Sequence, residues 1–478
     1  MKPSEPHDNM TRIPKFASPD ESARILKETL DNLNCAEIAV VRNPSYLYSP
    51  LELYPLPPKI TTPLARLAGV IKDMDGTTTT TEPLCLHSLE WMVRRVTGRM
   101  DPAVWGGFDH DRDYPNIIGN STTKHVEYLL DAYGDAFVPE ECLRAFLETI
   151  VWTLSQGRDE GRKRAVRTNA VALGLAGLFE DGEIRRILES DSYDAAAVER
   201  AADRLATEFL PRFQIETPTD RVRAMVDVYY TRYHVILADI ADGRGARRAE
   251  EVLGAPGAHL VEPMPGIGVF LAALKGWLGE DLELFFEPLA EHVLTKRPDL
   301  TEAGLAKLRP HLTALGRYLA RRPAPVAVVT SSIVYESRIV LNEVFAILRE
   351  QIADWPIAEE KKEAILARFA DPAVLYDAWI TASDSSEIRL KPHRDLYSIA
   401  LHEMGLGPED FPFVVGFEDS ESGVIAIRAA GVGLAVAVPF AATAGHDLSA
   451  AAHVVPGQIP ETLLVHNCFL DTGLLQRP

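Results

Sequence analysis

The sequence predicts an α/β fold: a parallel sheet with helices on both faces, interrupted by a large all-helical domain after the first core strand. Three observations predict it. In the C-terminal part, short apolar runs ending in polar residues alternate with helical patterns, and such alternation builds parallel sheets. A run of the same kind, "LAGVIKD" at 67–73, stands alone far upstream. Between it and the later runs, from about 82 to 248, apolar residues recur at helical spacing and strand-like alternation is scarce.

Residues 1–60 read as an N-terminal extension. It carries a helical stretch near Ala23 to Leu33, a strand candidate "AEIAVV" and the proline-rich "YPLPPKITTP". The α/β core is expected from 61–81 and 262–478, with extra segments near 277–310 and 335–370. A helical domain takes 82–261. In "LCLHSLEWMVRRVTG", Leu86, Leu89, Trp91, Met92, Val93 and Val96 form a broad apolar face, and Gly98 is a natural stop. "TKHVEYLLDAYG", "ECLRAFLETIVWTL" and "RVRAMVDVYYTRYHVILADIADG" continue that period. "PGIGVFLAALKG" contains Gly266 and Gly268 but lacks a third glycine and a preceding strand, so it reads as a helix N-terminus rather than a nucleotide loop. The late strands are "PVAVVTSS", "LYDAWITASD", "FPFVVGFEDSESG" and "GVGLAVAVP". The helices between them are "SRIVLNEVFAILREQI", "DLYSIALHEMG" and "GVIAIRAAG".

Composition narrows the partners. The 478 residues exceed one ordinary core, and 46% hydrophobic with 25% charged residues is the balance of a soluble globular protein. Lysines and arginines number 49 against 69 acids, a formal charge of −20. That balance argues against nucleic acid, which demands a basic face. The first residues have no apolar centre and no run of eighteen apolar residues occurs, so neither a signal peptide nor a membrane partner is expected. Cys35, Cys85, Cys142 and Cys468 lack metal or redox spacing. The expectation is a cytoplasmic monomer or homodimer with reduced thiols.

In open parallel sheets function gathers at the carboxyl ends of strands. The polar residues sit there: Asp73 and Asp75, Thr330 to Ser332, and Glu418 to Ser420. Taken alone, Asp73 and Asp75 before Gly76 also suit an ordinary turn. In chain order the pieces are "DMDGT", "VVTSS", "RLKPHRDLY" and "GFEDSESG". Together they resemble the haloacid dehalogenase-like superfamily of phosphohydrolases and phosphotransferases, in its β-phosphoglucomutase-like branch with a helical cap. The resemblance covers 65–98 and about 265–455.

It implies a Rossmann-like core and a phosphatase acting on a small phosphorylated metabolite with Mg2+. By the resemblance Asp73 is the nucleophile and a metal ligand. Asp75 is the general acid and then base, and lends its backbone carbonyl to the metal. Thr330 and the amide of Ser331 bind phosphoryl oxygens. Lys391 places a charge on the phosphoryl group and Asp73, while Asp419, with Glu418 beside it, holds the metal. The chemistry demands these types. Phosphate monoesters hydrolyse so slowly that enzymes accelerate them up to about 10²¹-fold. A carboxylate attacking phosphorus splits the step in two, provided a cation relieves its repulsion from the phosphate. Two alternatives remain: a phosphomutase of the same fold, and an inactive scaffold. Asp75 disfavours a true dehalogenase.

Two departures from the pattern stand out. Lys72 precedes the nucleophile where an apolar residue is usual, and is expected on an edge or paired with an acid. The third motif reads His393, Arg394, Asp395 where proline and aspartate usually follow. Thr77 belongs to the turn at the site. Thr78 to Thr81 are a linker to the cap, either a plain loop or a hinge, with its return strand near Glu262 to Pro265. On the cap, Asn120, Ser121, Thr122, Lys124 and His125 are candidates for substrate binding, with helix capping and a solvated first turn as the plain alternative.

Overall fold

The structure, a computed structural model, describes residues 18–33, 35, 37–43, 48–118, 122–190, 192–386, 389–440, 443 and 445–475. They form two compact units. The first is drawn from Met1–Thr78, Met264–Ser332 and Leu348–Pro478, the second from Thr79–Pro263 and Ile333–Ile347.

The first unit is built on a parallel sheet. The strands among the described residues are, in chain order, β1 (Glu37–Arg42), β2 (Leu51–Leu56), β3 (Gly69–Asp73), β4 (Thr79–Thr80), β5 (Glu262–Pro263), β6 (Val326–Val329), β7 (Ala378–Ile380), β8 (Val414–Glu418), β9 (Leu434–Ala437) and β10 (His453–Val454). Six of these pair in the order β10-β9-β8-β3-β6-β7, every pair parallel. From β3 the chain adds β6 and β7 on one side, then crosses to add β8, β9 and β10 on the other. The strand order therefore reverses around β3, and such a reversal opens a crevice at the carboxyl ends where connecting loops leave in opposite directions.

Alternation along β3 sends Ile71 and Asp73 to one face, Val70 and Lys72 to the other. The Ile71 face is covered by helices Asp395–Glu403 and Glu421–Ala429, through Leu396, Tyr397, Leu401, Val424 and Ile427. On the opposite face Phe417, the cross-strand neighbour of Lys72, meets Phe270 of helix Ile267–Leu274 edge to face, with ring centroids 5.5 Å apart. Gly266 caps that helix at φ 75°, so "PGIG" opens a helix, as its composition implies.

Lys72 departs from the expectation. It is fully buried in the second-from-last position of the central strand, not on an edge. Its Nζ donates to the Thr78 hydroxyl and lies 5.2 Å from the centre of the Tyr376 ring. Burial pulls its pKa well below the ordinary lysine value, and neighbouring Asp73 only partly opposes this. The physical reason is the pleat: a central strand has no solvent side, so position 72 must point into packed apolar structure.

The N-terminal extension contributes an antiparallel hairpin, β1 with β2. Its strand β2 includes Pro55 of the proline-rich stretch, which is tolerated because a two-stranded ribbon leaves N–H groups unpaired anyway. Ala39, Val41, Tyr54 and Leu56 on its inner face pack with Ala429 and Ile425 of helix Glu421–Ala429. The buried guanidinium of Arg428 fastens it further, donating to Glu37 and to the Pro57 carbonyl.

The second unit is helical apart from β4 and β5, whose antiparallel pair joins Thr79 to Pro263 and Thr80 to Glu262. Helix Glu82–Thr97 ends at Gly98 with φ 67°, a left-handed position that glycine adopts without penalty. Helices Pro139–Gln156 and Pro218–Ala241 bury long apolar stripes; Thr217 caps the latter by accepting from Asp220 N at 3.2 Å. Residues 333–347, expected with the core, fall in this unit. There Glu336 Oε1 and His234 Nε2 lie at hydrogen-bond distance, 2.8 Å, both side chains buried. Among the described residues, no helix is long and apolar enough to cross a membrane.

Candidate active site

Three strand ends supply the site. β3 ends at Asp73, and Met74 N still reaches the carbonyl of Val329 at 3.1 Å. Gly76 then turns the chain at φ 81°. A side chain there would stand 2.5 Å from the Asp419 carboxyl carbon, so only glycine lets the turn approach. Thr78 N bonds Met74 O at 2.8 Å, and the Thr78 hydroxyl donates to Asp73 O at 2.5 Å, closing the loop. Thr77 donates its hydroxyl to Asp419 Oδ1 at 3.3 Å. The threonines thus tie the turn to the strand it leaves and to the acid across the crevice.

β8 ends at Glu418, one strand away. Ser420 caps the next helix, accepting from Gly423 N at 3.2 Å. Asp73, Glu418 and Asp419, all buried, bring one carboxylate oxygen each to within 4.8 Å of one another. Lys391 lies among them, donating to Asp73 Oδ1 and to Glu418 Oε1, the latter at 2.6 Å. Tyr397, from the helix after the third motif, donates to the same Glu418 oxygen at 2.8 Å. The other oxygen, Oε2, accepts from Asp419 N, Ser420 N and Ser420 Oγ at 3.2, 3.3 and 3.0 Å. Glu418 is therefore saturated with donors and acts as the anchor of Lys391.

From β6, Thr330 is buried and donates to Asp75 Oδ2 at 3.2 Å, while also accepting from Ser332 N at 3.0 Å. Ser331 beside it is exposed. The core residues named from sequence (Asp73, Asp75, Thr330, Lys391, Glu418 and Asp419) thus meet around the ends of β3, β6 and β8.

Their charges are mutually dependent. Burial pushes the Asp73 carboxyl well above the usual range, Glu418 and Asp75 push it further, and Lys391 opposes them. Burial pulls the Lys391 ammonium down, but Asp73 and Glu418 outweigh it and hold its pKa above the ordinary value. The Tyr397 phenol is raised by burial and then by Glu418, so it stays a proton donor.

The cap candidates divide differently. Asn120 and Ser121 lie outside the described residues. Thr122 begins helix Thr122–Tyr133 and accepts from Tyr230 Oη at 3.1 Å; Lys124 is exposed and His125 buried.

Sequence reasoning did not single out Tyr397, which lies on a buried helix face where an aromatic reads as core. It also missed the wiring of the third-motif loop. Arg389 pairs with Glu52 at 2.8 Å, and His393 Nδ1 lies 2.8 Å from Tyr54 Oη. The unusual His393 was the only signal available.

No family model matches the sequence, and no curated protein does. Among solved structures, CbbY from Rhodobacter sphaeroides in complex with phosphate is 14% identical, with 81% of this chain and 93% of that one covered and a TM-score of 0.35. A mutant of CbbY with xylulose-(1,5)bisphosphate gives 13%, 81%, 93% and 0.35. A Thermotoga maritima protein provisionally named beta-phosphoglucomutase gives 15%, 83%, 97% and 0.31. The core, a parallel sheet with the motif residues gathered around the carboxyl ends of β3, β6 and β8 and its chain interrupted by a helical unit, is the α/β architecture that the sequence predicts.

Proposed function

We propose that this chain is a Mg2+-dependent phosphatase of a small phosphorylated metabolite, acting through an aspartyl-phosphate on Asp73. The observation that supports it most is the buried cluster Asp73, Glu418 and Asp419, with Lys391 bonded into it at the switch point of a parallel sheet. The donor set fits the metal: all-oxygen, carboxylate-rich and next to a loop able to add backbone carbonyls, which is what Mg2+ takes. Because Glu418 is saturated by protein donors, Asp73 and Asp419 are the carboxylates that would hold the ion directly. When bound, the ion supplies positive charge that offsets repulsion between Asp73 and the phosphoryl oxygens.

The remaining work belongs to the side chains. Asp73 attacks phosphorus, forming an O–P bond as the ester O–P bond breaks. Protonated Asp75 gives its proton to the departing oxygen. Asp75, now a carboxylate, then takes a proton from the water that attacks phospho-Asp73, and inorganic phosphate leaves. Thr330 turns its hydroxyl between Asp75 and a phosphoryl oxygen. Lys391, held charged by two carboxylates, steadies the transferring group.

Phosphate release over a panel of phosphorylated metabolites, with and without Mg2+, tests the reading. Asp73→Asn abolishes it; a variant with full activity refutes the assignment. Labelled water separates hydrolysis from a mutase, since a mutase places little label in free phosphate.

A further inference from the structure

The loop that delivers Lys391 is gripped from outside the sheet. Arg389, two residues before the lysine, and Asp395, four after it, form a two-bond ion pair at 3.2 and 2.9 Å that closes the loop on itself. The outer edge of Arg389 is taken by the N-terminal hairpin. Both oxygens of Glu52, on β2, accept from Arg389 Nη1 at 2.9 and 2.8 Å. Tyr54, two residues along β2, donates to Glu52 Oε2 at 2.7 Å and stands 2.8 Å from Nδ1 of buried His393. Hairpin contacts therefore fall on both flanks of Lys391. The hairpin is itself seated on the core by its apolar inner face and by Arg428, so it can transmit that grip.

Lys391 needs the grip for a physical reason. Its ammonium must sit against Asp73 and Glu418 inside a buried site, on a loop that lies outside the strands of the sheet. A charge misplaced by about 1 Å at a phosphoryl site can cost about a hundredfold in rate. The interactions around Glu52 are charge-assisted and mutually supporting.

We propose that the β1–β2 hairpin is a positioning element for Lys391, with Glu52 as its positioning residue, acting through Arg389. This rests on the phosphoryl-transfer reading of the site, whereas the grip on the loop is a mechanical statement that stands apart from it. The hairpin lies in the extension to which sequence analysis assigned no role.

The full chain carrying Glu52→Gln tests it, with Arg389→Lys as a second variant that keeps charge but loses the fork. Two measurements are made. Hydrogen exchange of the segment 389–395 is expected to accelerate by roughly tenfold or more, the cost of losing one charge-assisted contact, while exchange in 414–418 stays at the wild-type rate. In the Mg2+-dependent phosphate release of the wild type, kcat is expected to fall by about tenfold with KM within about twofold, because Lys391 acts on the transferring group rather than on the body of the substrate. Leu53→Ser, on the exposed outer face of the same strand, serves as the hairpin control and leaves both readings unchanged. Unaltered exchange at 389–395 in Glu52→Gln overturns the proposal, and so does faster exchange with kcat retained. A wild-type protein that releases no phosphate over the whole panel would sink the phosphatase reading alone, and the exchange measurement would still decide whether the hairpin holds the loop.

Discussion

Replacing Lys72 by methionine should make this protein more stable and should leave its site working. The lysine is fully buried on the central strand, with Val328 and Phe417 as cross-strand neighbours. Its ammonium nitrogen bonds the Thr78 hydroxyl, and its pKa is driven well below the ordinary value by burial. The sign follows from proton counting. Between the native pKa and the unfolded value near about 10.4, the unfolded chain carries a proton that the native chain lacks. Stability therefore rises with pH in that window, by about 1.4 kcal/mol per unit, and is lost as pH falls. Across that window the buried lysine forfeits stability that an apolar side chain of the same length keeps. Against that, methionine gives up one hydrogen bond, about 1 kcal/mol, and roughly conserves volume. Methionine wins once the window spans more than about one pH unit, since each unit outweighs the lost hydrogen bond. Thr78 keeps its bond to the Asp73 carbonyl, so phosphate release should remain within a few-fold of wild type. Urea denaturation of both proteins at pH 7, 8 and 9, read from the core transition, is the assay. A Lys72→Met variant with the same pH slope as wild type, or with lower stability at pH 7, would show that the ammonium is solvated or paired and that the argument is wrong.

Other expectations are equally open to measurement. Gly76→Ala forces a side chain toward the Asp419 carboxylate at a φ of 81°, so it should cost about 1–3 kcal/mol of stability and lower Mg2+-dependent turnover by about a hundredfold or more. A variant with normal Mg2+ dependence would contradict the close approach. His87 accepts from Arg232 Nη2 at 2.9 Å, and burial, followed by the repulsion of Arg232 and its arginine neighbours, holds its pKa down at about 4. The native helical unit therefore excludes a proton that the unfolded chain takes up below pH 6.5. Stability of that unit should fall by about 1–2 kcal/mol from pH 7 to pH 5, after discounting for the ring's partial exposure, and His87→Gln should flatten the decline; equal slopes in variant and wild type would refute it. Lys391→Met leaves Asp73, Glu418 and Asp419 facing one another without their cation. It should destabilise the metal-free protein by about 3–5 kcal/mol, and millimolar Mg2+ should restore much of the loss in a thermal unfolding scan; no rescue by Mg2+ would argue against a shared metal position.

Much of the fold was legible because it is written locally. Apolar runs of strand length end in Asp73, Thr330 and Glu418, and the helical patterns between them set the parallel sheet. Gly98 was readable for the same reason: a helix stop depends on a few adjacent residues. The acidic cluster was legible through motif order, although Asp73 and Glu418 stand 345 positions apart in the chain.

What sequence could determine by itself was chemical kind and local form: carboxylates behind strands, hydroxyls at the second motif, a lysine in a loop, helices from 82 onward. Tertiary structure alone decided that position 72 lies inside a central strand, that Tyr397 and Lys391 share Glu418, and that Glu52 and Tyr54 hold the loop around Lys391. The reason is that these contacts join residues remote along the chain through single side chains. Periodicity and spacing report the conformation of a segment, and carry no trace of which distant polar group will fill its remaining hydrogen bonds.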